Sequence, residues 1–371
     1  MRKSLIVTLL LVLALTACGS QQTSGAPTSA PEVTSVTAAT APAPAAGGTK
    51  LIVMTHDSFS VSEDVLKAFE QQEGVSVQVL KSGDAGAALN KAIISKDSPL
   101  ADVFFGVDNT FLSRALQAGI FEPYPAPALK EISDKFKLDT SNSLLPIDYG
   151  YVNINYDKDA LAKSNLRPPA KLEDLTRPEW KDKLVVENPA TSSPGLAFML
   201  ATVGHFGASG SYTWLDYWKD LKKNGVLVTE GWEEAYNTQF SGSSGKGPRP
   251  LVVSYATSPA AEVVFSSGKL TEPPTGNVLA GSFLQIEFAG ILKGTKQRAL
   301  AERFLDFMLS KRFQEDIPLQ MFVYPVLPSA ALPDVFKQFA QAPDQPLVVP
   351  PEQIDQNREQ WITAWTKAVL R

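Results

Sequence analysis

Residues 51–106 read LIVMTHDSFSVSEDVLKAFEQQEGVSVQVLKSGDAGAALNKAIISKDSPLADVFFG, and this stretch decides the fold of the chain. Three runs within it, at 51–55, 75–79 and 102–106, are apolar or alternate between apolar and polar residues, which is typical of β-strands. A helical pattern separates each strand from the next. The order βαβαβ predicts a parallel sheet covered by helices, so the sequence indicates the α/β class.

The first helix of this unit is marked at both ends. Ser60 and Glu63 have the three-residue spacing of a capping box, and Gly74 is typical of a helix C-terminus. The second helix is predicted over residues 87–95, after the turn GDAG at 83–86.

Open parallel sheets bind their ligands beyond the carboxyl ends of the strands. Three turns follow such ends here: HDS (56–58), GDA (83–85) and VDN (107–109). We therefore expect these turns to contribute to a binding site, with Asp57 and Asp84 as candidate acidic groups.

A second set of predicted elements lies further along the chain. Residues 184–186 form a strand that leads into ENPATSSPG at 187–195, and a helix is predicted to start near Gly195. Ser192 or Ser193 would lie at its N-cap. A helix N-terminus offers free N–H groups and a partial positive charge, so it suits a phosphate, a carboxylate or a hydroxyl group. Plain N-capping is an equally good interpretation of the serines.

One more strand end meets a helix start in the same way. The strand at 251–255 is followed by ATSP at 256–259 and by a helix predicted over 260–265. Trp232 lies in a segment that enters a helix, where a large ring belongs either to the core or to a ligand platform. Together with Tyr255 and the two aspartates, it would form an aromatic and acidic cleft suited to an organic cation.

Motifs for catalysis or metal binding are scarce. The chain has two histidines, His56 and His205, and no GxSxG elbow or paired metal-ligand spacing. The phenolates of Tyr149, Tyr151 and Tyr255 would be suitable ligands for ferric iron, although buried tyrosines with satisfied hydroxyls are commoner. We predict a binding protein with no cofactor and no resident metal, and keep ferric iron as an alternative ligand.

The N-terminal residues predict export. Arg2 and Lys3 precede an apolar stretch at 5–15, and small residues lead to Cys18, the one cysteine of the chain. This pattern resembles a lipoprotein signal, which implies cleavage after residue 17, lipidation of Cys18 and attachment to a membrane from outside the cytoplasm. A buried free thiol is the alternative interpretation of Cys18.

The composition changes sharply after the signal. Residues 19–49 consist almost entirely of Ala, Pro, Thr, Ser, Gly and Gln, with Glu32 as the single charge, which predicts a disordered linker. The remaining residues, about 320, suffice for two domains of roughly 150 residues each. A formal net charge of −5 disfavours nucleic acid as a partner.

Seven short motifs occur in one order along the chain. They are DSF (57–59), ADV (101–103), DYGY (148–151), TSSPGL (191–196), GWEEAY (231–236), SYATSP (254–259) and YPV (324–326). In this order they resemble the thiamine-binding solute-binding proteins of ABC importers, a group within the type II periplasmic binding proteins. The similarity runs from Leu51 to Arg371 and implies a two-lobed α/β fold with the ligand cleft between the lobes.

The resemblance also implies how the chain is divided. The implied divisions are a signal peptide at 1–17, the lipidated cysteine and linker at 18–49, lobe I at 50–147 plus 284–371, and lobe II at 148–283. Crossovers near Pro146–Tyr151 and Phe283–Phe288 would join the lobes. Hinge bending would then close both lobes on the ligand.

The resemblance further implies the ligand site. Trp232 and Tyr255 would face the rings of thiamine, Asp84 and Asp57 would offset its fixed positive charge, and the helix start at Ser192 would take its hydroxyethyl arm or phosphate. The implied ligand-binding residues are Asp57, Asp84, Ala85, Ser192, Ser193, Trp232, Tyr255, Ala256, Thr257, Ser258, Pro259 and Phe322. The implied partners are thiamine or a related cation and a membrane permease, with the protein itself a monomer in the cell envelope.

Two positions depart from the family pattern. Ala261 stands where a second tyrosine would follow the Ser-Pro pair, and Phe322 stands where a tryptophan would precede the Tyr-Pro-Val motif. These two positions leave fewer large aromatic residues around the implied ligand site, so another organic cation stays an alternative ligand. An extracytoplasmic phosphatase is a further alternative, and its best nucleophile would be the pair Ser192 and Ser193, without a nearby histidine.

Overall fold

A computed structural model describes residues 48–242 and 247–371. The predicted signal peptide, Cys18 and all but the last two residues of the predicted linker lie outside the described residues. No helix in the described ranges is long and apolar enough to cross a membrane.

The described residues form ten strands and twelve α-helices. The strands are β1 (Lys50–Thr55), β2 (Ser76–Lys81), β3 (Val103–Asp108), β4 (Phe121–Glu122), β5 (Leu145–Asp157), β6 (Leu184–Glu187), β7 (Leu227–Thr229), β8 (Leu251–Tyr255), β9 (Thr275–Leu292) and β10 (Tyr324–Pro325). The helices are α1 (Glu63–Glu73), α2 (Ala85–Ile94), α3 (Leu112–Gln117), α4 (Lys158–Lys163), α5 (Ser193–Phe206), α6 (Trp214–Lys223), α7 (Trp232–Glu234), α8 (Ser258–Phe265), α9 (Arg298–Met308), α10 (Lys311–Gln320), α11 (Asp334–Phe339) and α12 (Pro351–Val369). Short 3₁₀-helices span Pro127–Lys130, Asp134–Phe136, Leu172–Thr176 and Pro178–Trp180, and a π-helical turn spans Ala235–Gln239.

The main strands form one mixed sheet in the order β2-β1-β3-β9-β5-β8-β6-β7, with β4 paired to β9 and β10 paired to β5. The predicted βαβαβ unit is confirmed, because β1 pairs in parallel with both β2 and β3. A second parallel set, in which β6 lies between β7 and β8, occupies the other side of the sheet. Each parallel set has its own strand ends where ligands bind.

The two longest strands, β5 and β9, join these parallel sets. They pair antiparallel over most of their length, with irregularities between Pro146 and Asp148 and between Val152 and Ile154. The two predicted crossovers are therefore neighbouring segments of one antiparallel pair. The boundaries of the predicted lobes stay a prediction.

The predicted capping box at Ser60 is wrong. Helix α1 begins at Glu63 with Ser62 at its N-cap, and no side chain caps it. The backbone N–H of Ser62 instead donates to the carboxylate of Asp316 in α10, at 2.8 Å. A tertiary contact has replaced the local motif, whereas Gly74 ends the helix with φ +66°, as predicted.

The C-terminal helix α12 packs into the core. Trp361 and Trp365 are buried, and Trp365 meets Trp218 of α6 edge to face at 5.3 Å between ring centroids. This pair therefore stabilises the fold and takes no part in the site described next.

Candidate ligand-binding site

A cavity of about 610 Å³ opens where the two parallel sets of strands end. Its size is within the usual range for small-molecule sites, roughly 300–1,000 Å³. The structure brings eight of the predicted site residues to its walls: Asp57, Asp84, Ala85, Ser193, Trp232, Tyr255, Ser258 and Phe322. The other four, Ser192, Ala256, Thr257 and Pro259, are buried and do not line it.

Asp84 ties together two distant segments at this cavity. It is the N-cap of α2, where its carboxylate accepts the backbone N–H of Ala85 at 2.7 Å. Its second oxygen accepts the backbone N–H of Trp232 at 2.9 Å. Burial raises the pKa of Asp84, although these two N–H donors oppose the shift. The carboxylate is thus held in place before any ligand arrives.

Trp232 is half-buried: it lines the cavity and also packs against a small hydrophobic cluster that includes Tyr236. Its indole N–H donates to the hydroxyl of Ser254 at 2.9 Å, which fixes the plane of the ring. Tyr236 stacks on it with centroids 4.9 Å apart and planes 15° apart, and Tyr255 stands 6.5 Å away at 61°. We call these three rings the aromatic wall. It presents an electron-rich surface to the cavity.

Glu262 lies behind the aromatic wall. It projects from α8, lines the cavity, and accepts hydrogen bonds from the hydroxyls of Tyr236 and of Thr275, the latter at 2.8 Å. Burial raises the pKa of Glu262 to about 7, in spite of these donors. Sequence reasoning did not include this residue in the site.

A second group consists of three residues that the sequence analysis does not name as ligand-binding residues: His56, Glu287 and Asp148, which we call the charged cluster. His56 Nε2 lies 3.3 Å from Glu287 Oε1, and both residues line the cavity. Asp148 faces Glu287 across the β5–β9 pairing and is completely buried. Burial and the charge of Glu287 raise the pKa of Asp148 well above its usual value.

His56 is protonated more readily than a free histidine. Burial alone would lower its pKa, but the carboxylates of Glu287, Asp84 and Asp57 outweigh burial, so that the net pKa is raised. The turn at 56–58 had been placed at the site by the strand pattern, which was the one available signal for His56. No motif marked Glu287, which lies inside a long strand.

The ionisable groups around the cavity are mostly acidic. Its walls carry five carboxyl groups, from Asp57, Asp84, Glu233, Glu262 and Glu287, against one lysine and one histidine. The lysine, Lys81, donates to the backbone carbonyl of Asp57 at 2.7 Å. Such a surplus of negative charge attracts a cation and repels an anion.

The start of α5 closes one side of the cavity. Ser192 is the N-cap, but its hydroxyl makes no capping hydrogen bond, so plain N-capping does not account for it. Ser193 and His56 both line the cavity, His56 after a strand of the first parallel set and Ser193 after a strand of the second.

The first turn of α2 packs directly on the loop before α5. The backbone N–H groups of Gly86 and Ala87 donate to the carbonyl of Thr191 at 2.9 and 3.2 Å. A Cβ on Gly86 would lie 2.8 Å from the ring of Phe111 and 2.9 Å from the carbonyl oxygens of Ala190 and Thr191. Segments that the sequence assigns to different lobes are therefore in contact beside the cavity.

The three tyrosines considered for ferric iron do not converge. Tyr255 lines the cavity, whereas Tyr149 stacks with Phe136 and Tyr324 and meets Tyr151 edge to face. Burial raises the pKa of Tyr149 to about 12 and that of Tyr255 well above its usual value, which disfavours phenolates. Among the described residues, no group of three or more His, Cys, Asp or Glu side chains is placed to hold a metal ion.

The chain is similar in sequence to known extracellular solute-binding proteins. A model of the bacterial extracellular solute-binding protein family matches residues 98–351. The thiamine-binding periplasmic protein of Salmonella typhimurium is 34% identical over 334 residues, which cover 89% of this chain and 96% of the relative. The protein of the same description from Escherichia coli is 32% identical over 326 residues, which cover 86% of this chain and 94% of the relative.

A solved structure supports the same similarity. A periplasmic thiamin binding protein matches this chain with a TM-score of 0.76 at 30% identity. The match covers 87% of this chain and 96% of that protein.

Proposed function

The chain belongs to the bacterial extracellular solute-binding protein family, and we propose that it captures thiamine or a thiamine phosphate outside the cytoplasm and delivers it to the permease of an ABC transporter. The observation that carries the proposal is the convergence of Asp84, Trp232 and Tyr255 on one acidic cavity. The α/β fold class predicted from the sequence is confirmed, since the chain matches two-lobed periplasmic binding proteins over most of its length.

The cavity suits an aromatic cation. The aromatic wall offers ring faces to a thiazolium or a pyrimidine, and each good contact between a ring and a cation contributes about 0.5 to 2 kcal/mol. Asp84 and Asp57 offset the positive charge, while Ser193 at the start of α5 takes the hydroxyethyl arm or its phosphate. Phe322 also lines the cavity.

Release requires the cavity to open. Its lining residues come from both predicted lobes, 50–147 plus 284–371 on one side and 148–283 on the other. We propose that hinge bending in β5 and β9 separates them, since these strands join the two parallel sets. A ligand favours the closed form only through contacts with both lobes, and the cavity walls supply such contacts.

Calorimetric titration with thiamine and its phosphates tests the proposal. We expect saturable binding that weakens about tenfold in Tyr255→Ala, because one aromatic contact is lost. Tyr212→Ala is the matched control, since Tyr212 lies outside the cavity lining and is 39% exposed. Equal titration of choline or of a ferric salt would favour another organic cation or iron as the ligand. Absence of heat with every thiamine compound would overturn the proposal.

We propose no enzymatic role for the site. His56 shares the cavity with Ser193, but its Nε2 faces Glu287, so it is engaged as a charge partner and not as a base for the serine. Incubation with thiamine monophosphate should release no phosphate beyond the rate without protein. Release that disappears in Ser193→Ala would contradict this.

We propose that Cys18 carries the lipid anchor and that the exported protein acts as a monomer. The proposed lipid anchor rests on the sequence pattern around Cys18. The proposed monomer rests on the two-lobed fold, in which one chain forms the whole binding site. Labelling with a fatty-acid analogue should tag the wild-type protein and not Cys18→Ser. Light scattering should give the mass of one chain.

A further inference from the structure

The charged cluster lies at the cavity, but the ligand contacts proposed above do not involve it. His56 follows β1, Glu287 belongs to β9, and Asp148 belongs to β5, so three separate strands bring these side chains together. The exposed fractions of His56 and Glu287 are 8% and 7%, yet both line the cavity. A cation that enters the cavity therefore meets a carboxylate already paired with an imidazole.

The imidazole has little freedom to move away. Its ring packs against Phe105 with centroids 5.4 Å apart. Its other neighbour is Gly106, whose φ is +107° and where an added Cβ would lie 2.4 Å from His56 Cδ2. The ring therefore cannot move toward Phe105 or Gly106 when the charge at Glu287 changes, which favours a change in its protonation.

We propose that Glu287 pairs with the positive charge of the ligand. In the ligand-free protein the protonated His56 pairs with Glu287 instead, so that each cation bound displaces one proton. The proposal rests on the proposed function, since it concerns the same cavity. In this exchange one imidazolium N–H bond breaks, its electron pair stays on the nitrogen, and the proton passes to water or buffer. No other bond changes.

The groups around His56 favour this exchange. Three carboxyl groups act on His56: Glu287 of β9, Asp84 at the start of α2, and Asp57 beside it. Asp148 of β5 and Asp108 of β3 act on Glu287 in turn. Burial raises the pKa of Asp108 to about 6, so this group also responds to pH. Lys81, the one lysine of the cavity walls, is held at the carbonyl of Asp57. In the ligand-free protein the proton on His56 thus offsets part of the negative charge of these carboxylates. In the complex the bound cation offsets it.

Two consequences follow from a displaced proton. Affinity for the cation rises with pH across the titration of His56, by up to about tenfold per pH unit, because one proton leaves for each ligand bound. A neutral molecule of the same shape gains no such affinity, since it cannot replace the proton. Glu287 and His56 therefore act as determinants of charge specificity, distinct from the shape recognition of the aromatic wall.

Nuclear magnetic resonance of the imidazole rings tests the exchange directly, because the chain has only two histidines. The pH is varied with and without saturating thiamine, and the titration midpoint of each ring is measured. We expect thiamine to lower the midpoint of His56 by at least about one pH unit, which corresponds to tenfold linkage. His205 is the internal control, since it pairs with Glu173 outside the cavity lining.

The outcomes separate this inference from the proposed function. Thiamine that binds without moving the His56 midpoint overturns the inference and leaves the function standing. Thiamine that does not bind overturns both.

A variant gives an independent check. Calorimetry in two buffers of different ionisation enthalpy measures the number of protons released per thiamine bound. This number should be lower by about one in His56→Gln than in the wild-type protein. Glu233→Gln is the matched control, because it removes another carboxyl of the same cavity and leaves His56 and Glu262 in place. An unchanged release in His56→Gln would overturn the inference. If that variant fails to fold, the ring titration of the wild-type protein still decides.

Discussion

The aromatic wall and the charged cluster line one cavity but differ in origin. Trp232 and Tyr236 are four positions apart, and Tyr255 is the last residue of β8, so each part of the wall lies in a short local motif. The charged cluster draws His56, Asp148 and Glu287 from three strands. In our proposal the wall recognises the shape of a ligand and the cluster recognises its charge. Substitutions in the two regions should therefore differ in their effect on charged and neutral ligands.

The largest effect is expected from Gly106→Ala, which disturbs the cluster from behind. The positive φ of Gly106 and the 2.4 Å approach to His56 Cδ2 leave no room for a methyl group. We expect the free energy of unfolding to fall by about 3 kcal/mol in denaturant titrations. Gly210→Ala is the control, because Gly210 has φ +120° with nothing within 4 Å of an added Cβ, so it isolates the backbone cost. Equal losses in both variants would mean that His56 can move aside.

The next largest effect is expected from Glu287→Gln, which keeps the shape of the cluster but removes its charge. Affinity for thiamine should fall roughly 30-fold, or about 2 kcal/mol, because a buried charge partner is lost. Affinity for the free aminopyrimidine half of thiamine, which has no fixed charge, should change little. Calorimetry with both ligands makes the comparison. Equal losses for both would show that Glu287 acts through structure and not through charge.

Trp232→Ala tests the aromatic wall in the same way, with a smaller effect. Affinity should fall about tenfold for thiamine and by a similar factor for the aminopyrimidine half, because stacking depends less on charge than the cluster does. The two ligands are compared by competition against a fluorescent reference ligand. A loss confined to the cation would mean that wall and cluster cannot be separated.

The smallest effect is a pH dependence of stability in the ligand-free protein. The pKa of His56 is raised above its unfolded value, so its pairing with Glu287 stabilises the fold below the unfolded pKa, about 6.5, and the benefit is lost as pH rises through the folded value. The free energy of unfolding of His56→Gln should therefore fall further below that of the wild type near pH 6 than near pH 9. These two values lie roughly on either side of the titration of His56. Urea unfolding at both pH values measures the difference. A deficit that grows with pH would reverse the sign and contradict the pairing.

The same contrast explains what the sequence could predict. Strand ends, helix starts and short motifs are local, so they predict Asp84, Trp232 and Tyr255 at one cleft, to which the family resemblance adds Ser193; all four line the cavity. Residues Asp148 and Glu287 meet only through the β5–β9 register, which includes two irregularities that no local pattern reveals. The cap of α1 was mispredicted for a related reason, since Asp316 replaces a local partner. Long-range pairing determined what the motifs could not.

Titration of the purified protein with thiamine and with its aminopyrimidine half, in one buffer near neutral pH, tests the central claim most directly. An acidic cavity with an aromatic wall should bind thiamine saturably, and at least about tenfold more tightly than the uncharged half. Absence of saturable binding of thiamine, or equal affinity for the two ligands, would contradict the assignment of this cavity as a thiamine site that selects for charge.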